Sequence, residues 1–266
     1  MLKQRIITAV ILVAVLLGAM FASNPMYWRV AISVAVLGAF YEWLRFCKII
    51  KPIEAICAFA LFLGLASMLF LFDFDYMLVV SAVCVLWVAL LAFTFSDVFG
   101  FFHNKWVKLT VGVITLSVAG WLLIEFKSLT NGPIWIICFF LSVVAADVGA
   151  YFAGKRFGKT KLAPSISPGK TVEGFVGGLV LVSLIFVPTI FSEFSGTKAV
   201  GLLATVLLTA VVSVGGDLFE SKLKRYVGLK DSSQILPGHG GILDRVDSLM
   251  AGVPVFALGL IMLGVL

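Results

Sequence analysis

The segment Leu236–Ser248, LPGHGGILDRVDS, sets three glycines, a histidine, two aspartates and an arginine side by side in a chain that is 61% hydrophobic. Asp244 and Asp247 are three residues apart, a spacing that turns both carboxylates to one side of a helix start. Asp217 stands at the end of an earlier apolar run. Three carboxylates from two helix ends suit a hard divalent cation such as Mg²⁺, which takes oxygen ligands and shares them with substrate phosphates. Asp244 and Asp247 would also stabilise a helix N-terminus by opposing its dipole. Taken alone, their spacing leaves both roles open. With Asp217 included the metal reading is favoured, because aspartates beside hydrocarbon-length runs are rare and as a rule functional.

Cations accompany these carboxylates: Lys222, Lys224, Arg225, Lys230 and Arg245. Anionic lipid headgroups account for such a cluster as well, and that reading covers Lys222. The others stand beside Gly238, Gly240 and Gly241, whose missing side chains let backbone N–H groups approach an anion. If the eighth apolar run continues as helix, Ser221 and Lys224 share the face of Asp217. Metal, cations and a glycine turn together describe a polyphosphate site. No Walker A pattern is present, so a P-loop ATPase is excluded. His239 has two open roles, a base or a hydrogen-bonding member of the turn, while His103 in FFHNKW reads as interfacial. A second polar stretch runs from Asp147 to Gly174 and holds SPGKTVEG. Lys170 offers a phosphate contact there, and Ser167 and Thr171 offer hydroxyls. Helix capping is the competing reading for Ser167, Thr171 and Glu173.

The elements that must position these residues are helices in a bilayer. The mean hydropathy is +1.13, and only 13% of residues are charged. Apolar runs recur at about 6–22, 27–46, 54–72, 76–96, 107–127, 133–153, 172–192, 198–218 and 248–266. Each is close to the roughly 20 residues that cross about 30 Å of hydrocarbon. Without the alternation of a barrel they must be helical, since no backbone group can stay unpaired in lipid. The first run follows MLKQR and reads as an uncleaved helix rather than a signal peptide. Alternating from a cytoplasmic N-terminus places Arg29, Lys127 and Lys198 outside and the other seventeen of the 20 lysines and arginines inside, as the positive-inside rule requires. The net charge of +6 is therefore topological, and no nucleic-acid partner is implied. Cys47, Cys57, Cys84 and Cys138 lack ligand spacing and read as small buried hydrophobes.

The expected fold is an all-α polytopic membrane protein with about nine transmembrane helices and a cytoplasmic N-terminus. Residues 1–132 supply about five N-terminal helices. Residues 133–266 form the catalytic region, with cytoplasmic loops 154–171 and 219–247 making the active site.

The run SKLKRYVGLKDSSQILPGHGGILDRVD, Ser221–Asp247, resembles the signature of the phosphatidate cytidylyltransferase (CDP-diacylglycerol synthase) family: S-x-x-K-R, four residues, K-D, then P-G-H-G-G, two residues and D-R-x-D. Asp147–Lys155 (D-x-x-A-Y-x-x-G-K) and Ser167–Gly174 (S-P-x-K-T-x-E-G) are similar to the family too. The resemblance implies a magnesium-dependent transfer of CMP from CTP to phosphatidate, yielding CDP-diacylglycerol and pyrophosphate. It also implies a K⁺ beside the Mg²⁺, and a homodimer. The compact chain without a presequence leads one to expect a bacterial inner membrane, and the charge count turns the active site to the cytoplasm. Carried over by position, Asp217, Asp244 and Asp247 would hold metal. Lys170, Lys224, Arg225, Lys230 and Arg245 would contact phosphates. Ser167, Thr171, Ser221, Gly238, His239, Gly240 and Gly241 would line the substrate site. Two rivals remain. A CDP-alcohol phosphotransferase is disfavoured because its D-G-x-x-A-R motif is missing. A cation-coupled transporter using Asp147 and Asp217 predicts repeated halves, and none is visible.

Overall fold

A computed structural model of the chain describes residues 2–238 and 240–266. The side chains of residues 2–6, 97 and 98 lie outside the description, so the inside assignment of Lys3 and Arg5 falls there, as does every role considered for His239. The described residues are nearly all helical. In chain order they form α1 (Leu2–Phe21), α2 (Met26–Phe46), α3 (Pro52–Leu71), α4 (Tyr76–Phe95), a 3₁₀ helix (Asp97–His103), α5 (Lys105–Ser128), α6 (Gly132–Phe157), strands β1 (Lys161–Ala163) and β2 (Ser167–Thr171), α7 (Val172–Glu193), α8 (Gly196–Val227) and α9 (Leu243–Met262).

Local chemistry sets the helix limits. Pro52 opens α3, where its missing N–H costs nothing. Asn104 caps α5 by accepting from the Trp106 N–H, and Thr171 caps α7 by accepting from the Gly174 N–H. Seven helices, α3 to α9, are long and apolar enough to cross a membrane among the described residues. The apolar stretch described in α1, Ile7–Phe21, is shorter, and α2 carries Arg29, Glu42 and Arg45. In α3 only 17% of the apolar window is buried within the protein. A surface that greasy and that open is a lipid-facing one; the chain is a multi-pass membrane protein.

Two loops differ from expectation. Loop 219–247 loses its first nine positions to α8, which runs on to Val227. Hydropathy marks only the part of a helix inside hydrocarbon, whereas Glu, Lys, Leu and Arg are strong helix formers in water as well. The helix stops at Gly228, φ +83°, in a C-terminal motif with Leu229 N–H donating to Lys224 O (2.8 Å) and Gly228 N–H to Arg225 O (3.1 Å). Loop 154–171 likewise starts later, after Phe157, and folds into an antiparallel hairpin that pairs Lys161 with Thr171 and Ala163 with Ser167. That small sheet departs from an all-α chain.

The chain packs as two compact units, each drawn from separate stretches. The first contains α1, α2, α3, the 3₁₀ helix, α5 and residues 223–246. Its centre is α5, held to α2 by two indoles: Trp28 donates to Leu123 O and Trp43 to Lys108 O, both at 2.8 Å. Gly112 leaves room for the Trp43 ring, since a Cβ there would stand 2.1 Å from Nε1. The second unit contains α4, α6, the hairpin, α7 and the larger parts of α8 and α9. Trp87 meets Phe219 edge-on, joining α4 to α8, and Phe139 meets Phe256, joining α6 to α9. Lys222 caps the end of α4, donating to Thr94 O at 2.7 Å, so its role is structural.

Small residues let helices of the second unit approach closely, as they do in membranes generally. A Cβ at Gly216 of α8 would lie 2.6 Å from Ala251 Cβ and 2.8 Å from Asp247 O, both on α9. Gly216→Ala should therefore lower the thermal unfolding midpoint in detergent, by the equivalent of about 1–3 kcal/mol for overpacking. An unchanged midpoint would show that the two helices separate without loss.

No cysteine forms a disulfide, and Cys57 is exposed rather than buried, on the lipid-facing α3. Cys47 is buried, which pushes its thiol up to about 12.

Candidate active site

In the first unit the signature residues converge on Asp244. Its Oδ1 receives Lys224 Nζ at 2.7 Å. Its Oδ2 receives the Gly241 N–H at 2.8 Å and lies 3.1 Å from the Ser232 N–H. Both charged side chains are nearly closed off, with side-chain exposures of 11% for Lys224 and 7% for Asp244. A pair that dry needs its remaining lone pairs satisfied by further donors, and the Ser232 and Gly241 amides do so. Gly240 (φ +82°) and Gly241 are required sterically: a Cβ at 240 would lie 2.7 Å from Asp244 Oδ2, and one at 241 only 1.9 Å from Ser232 Oγ. Gly238, φ +79°, turns the chain ahead of them, and Thr8 of α1 donates to Pro237 O at 3.2 Å.

Ser232 reaches two carboxylates. Its Oγ lies 2.9 Å from Asp244 Oδ2 and 2.8 Å from Glu42 Oε2. Its single hydroxyl proton serves one of them at a time. Glu42, in α2, is fully buried and accepts from the Ile242 and Leu243 N–H groups at 3.0 and 2.8 Å. Ser233 Oγ also donates to it. The first amides of α9, an inherent anion site, are thus filled by a side chain of the same protein. Arg225, Lys230 and Arg245 are exposed along this segment.

In the second unit, Lys170 on β2 places its Nζ 2.7 Å from Asp217 Oδ2 in α8. The alignment is that of an ion pair rather than a directed hydrogen bond, as no hydrogen bond forms from Nζ. Ser221 donates to Asp217 Oδ1 at 3.1 Å, one turn along α8. Asp247 is buried in the first turns of α9, and its Oδ1 accepts from the Ser248 N–H at 2.7 Å. Gly216 brings α8 directly against that turn. Ser167 begins β2. Thr171 is buried and spent on capping α7, and Glu173 accepts from the Lys159 and Thr160 N–H groups, tying the hairpin to the helix.

Among the described residues no group of three or more His, Cys, Asp or Glu side chains is gathered as a metal cage. Mg²⁺ does not need one: it is usually held by one or two carboxylates, with water and substrate phosphates completing the shell. Asp217, about one-third exposed, offers hard oxygens, one facing Lys170 and the other Ser221.

Glu42, Ser232 and Ser233 were not singled out from the sequence. The available signal was an acid within the apolar stretch GAFYEWLRF, because an ionisable residue in such a helix is a functional candidate by default.

The cytidylyltransferase family model matches residues 3–263. The chain is 38% identical to the phosphatidate cytidylyltransferase of Haemophilus influenzae, over 97% of this chain and 98% of that protein. It is also 38% identical to that of Pseudomonas aeruginosa, over 97% of this chain and 96% of the relative. A phosphatidate cytidylyltransferase of Helicobacter pylori is 50% identical over 48% of this chain and 46% of its own length. With a family match over nearly the whole chain and the signature residues set into two bonded clusters, this protein belongs to the cytidylyltransferase family and is a nucleotidyltransferase.

Proposed function

We propose that the protein transfers CMP from CTP to phosphatidate in the synthesis of phospholipids. A phosphate oxygen of phosphatidate forms a new bond to the CTP α-phosphorus, and the α–β anhydride bond breaks. Pyrophosphate leaves with the electron pair and CDP-diacylglycerol remains. The nucleophile is already an anion, so no base is needed to generate it. What the site must provide is charge neutralisation and in-line placement of two polyanions.

The observation that carries this reading is how the cations are divided. Lys224 is committed to Asp244, whereas Arg225, Lys230 and Arg245 follow along the same anchored segment with exposed side chains. These three are assigned to substrate phosphates. In the second unit Lys170, beside Asp217, is assigned the same role, and Ser167, Thr171 and Ser221 belong to its surroundings. Gly238, Gly240 and Gly241 shape the turn, and His239 is assigned to the substrate surroundings by its place in the sequence PGHGG alone. Asp217 and Asp247 are proposed to hold Mg²⁺, which would polarise the phosphoryl oxygens and offset charge on the departing pyrophosphate. Asp244 belonged to that set when read from spacing; with its oxygens engaged by Lys224, Ser232 and Gly241, it is proposed instead to anchor the turn. A K⁺ and a homodimeric assembly complete the proposal.

The proposed topology keeps nine spans with the N-terminus in the cytoplasm, a register that puts seventeen basic residues inside and three outside. Both polar segments then face cytoplasmic CTP, in a bacterial inner membrane, and phosphatidate arrives laterally from the bilayer.

The test uses detergent-purified protein with phosphatidate, α-labelled CTP and Mg²⁺. Label should enter the lipid phase, stop with EDTA and resume when Mg²⁺ is returned in excess. Absence of lipid label from folded protein with several phosphatidate species would defeat the reading, and full activity in EDTA would remove the metal from it.

A further inference from the structure

We propose that Glu42 is a positioning residue of the transferase site, acting from α2 through the Ser232–Ser233 turn and the start of α9. The inference rests on the transferase reading above for its kinetic consequences only. Each carboxylate oxygen of Glu42 accepts from one hydroxyl and one backbone N–H. Oε1 takes Ser233 Oγ and the Ile242 N–H at 3.0 Å. Oε2 takes the Leu243 N–H at 2.8 Å and lies 2.8 Å from Ser232 Oγ. The residue is completely buried, so water cannot replace any of these donors. On the same face of α2, Gly38 lies one turn earlier, where its missing side chain admits Ile242: a Cβ there would meet Ile242 Cδ1 at 2.5 Å. Arg45, three residues beyond Glu42, donates to Ser232 O. Three consecutive positions of one helix face thus grip the turn from outside the signature.

The consequence reaches Asp244 through Ser232, whose Oγ stands between Glu42 Oε2 and Asp244 Oδ2 at 2.8 and 2.9 Å. With Glu42 in place, the Ser232 N–H and the Gly241 N–H both stay on the Asp244 carboxylate, which in turn holds Lys224. Glu42 touches neither substrate nor metal in this scheme; its role is to fix where the cations of the segment stand. An alternative role as a proton acceptor is disfavoured, because Oε1 already accepts twice and Oε2 accepts from the Leu243 N–H and faces the Ser232 hydroxyl.

Glu42→Gln tests this with almost no change of shape. Whichever way the amide is flipped, its NH₂ faces a backbone N–H, of Ile242 or of Leu243, and that bond is lost. Two readouts are needed, hydrogen–deuterium exchange across residues 232–243 and steady-state kinetics. Exchange of that segment should speed up in Glu42→Gln. The turnover number should fall about 10²-fold, the scale of a small misplacement of catalytic groups. The CTP KM should move less than about 3-fold, the pattern of a loss confined to the transition state. Unchanged exchange, or full turnover with faster exchange, would overturn the proposal. Should Glu42→Gln fail to fold, Ser232→Ala/Ser233→Ala keeps both helix-cap bonds and decides the question: reduced turnover in folded protein supports it, and full turnover overturns it. If the wild-type protein transfers no CMP, the transferase reading falls, while the exchange result still decides whether Glu42 holds the turn.

Discussion

Asparagine at Asp244 should reduce CMP transfer by about 10²-fold or more, on the scale set by misplaced catalytic groups, and should also destabilise the first unit. The two effects share one cause. Asp244 is nearly inaccessible and pairs with an equally enclosed Lys224 at 2.7 Å. Removing one member of such a pair typically costs about 3–5 kcal/mol, because the other charge is left buried without compensation. Asparagine keeps the volume and one carbonyl oxygen but brings an NH₂ toward the Lys224 ammonium or toward the Ser232 and Gly241 amides, all of them donors. The measurement is unfolding in detergent together with turnover. Lys224→Met should partly restore stability in the Asp244→Asn background, since replacing both members of a buried pair is far milder than breaking it. It should not restore turnover. If Asp244→Asn unfolded like the wild type yet lost activity and required more Mg²⁺, Asp244 would be a metal ligand after all and the anchoring role would be wrong.

Asp217→Asn should show a different balance, with a large loss of activity and a smaller loss of stability than Asp244→Asn. Its ion pair with Lys170 has side-chain exposures of 32% and 25%, although the Lys170 Nζ is itself buried. Its loss should therefore cost more than the roughly 0–1 kcal/mol of a surface pair and less than that of the enclosed Asp244–Lys224 pair. If Asp217 binds the metal that offsets charge on the leaving group, turnover should drop by about 10²–10³-fold, the range seen on removing one electrostatic element from an active site. The Mg²⁺ concentration for half-maximal activity should rise at the same time. Lys170→Ala removes the same ion pair from the other side, so it should match Asp217→Asn in stability while raising the CTP KM and leaving the Mg²⁺ requirement near wild type. Identical kinetics for both variants would mean that the pair acts only as a hairpin-to-helix tie. Because Asp244→Asn and Asp217→Asn differ in their ratio of stability loss to activity loss, one set of unfolding and rate measurements separates an anchoring carboxylate from a metal-binding one.

Much of this protein is legible in the order of its residues, and the rest is not, for a definable reason. Membrane insertion depends on local sums over about twenty residues, so α3 to α9 appear directly in hydropathy, within a few residues at most boundaries. The polar signature is equally local: Ser221–Asp247 carries its family resemblance in its own spacing. Where the deciding force is not hydropathy, the reading stops short. The last turns of α8, Phe219–Val227, look like loop to an apolar window, yet they are helix until the C-terminal motif at Gly228 ends them. The hairpin at 161–171 owes its form to backbone pairing, which leaves no periodic trace in so short a stretch.

The division is sharpest at the site. From sequence, Asp217, Asp244 and Asp247 are three equivalent acids at helix ends, and Glu42 is an isolated charge in a remote helix. Only the tertiary structure separates their environments. It encloses Asp244 with Lys224, leaves Asp217 partly open beside Lys170, and brings Glu42 onto a serine 190 residues away. Hydrogen bonds of a few ångströms between distant segments depend on how α2, α8 and α9 are placed, and residue spacing along the chain does not carry that placement.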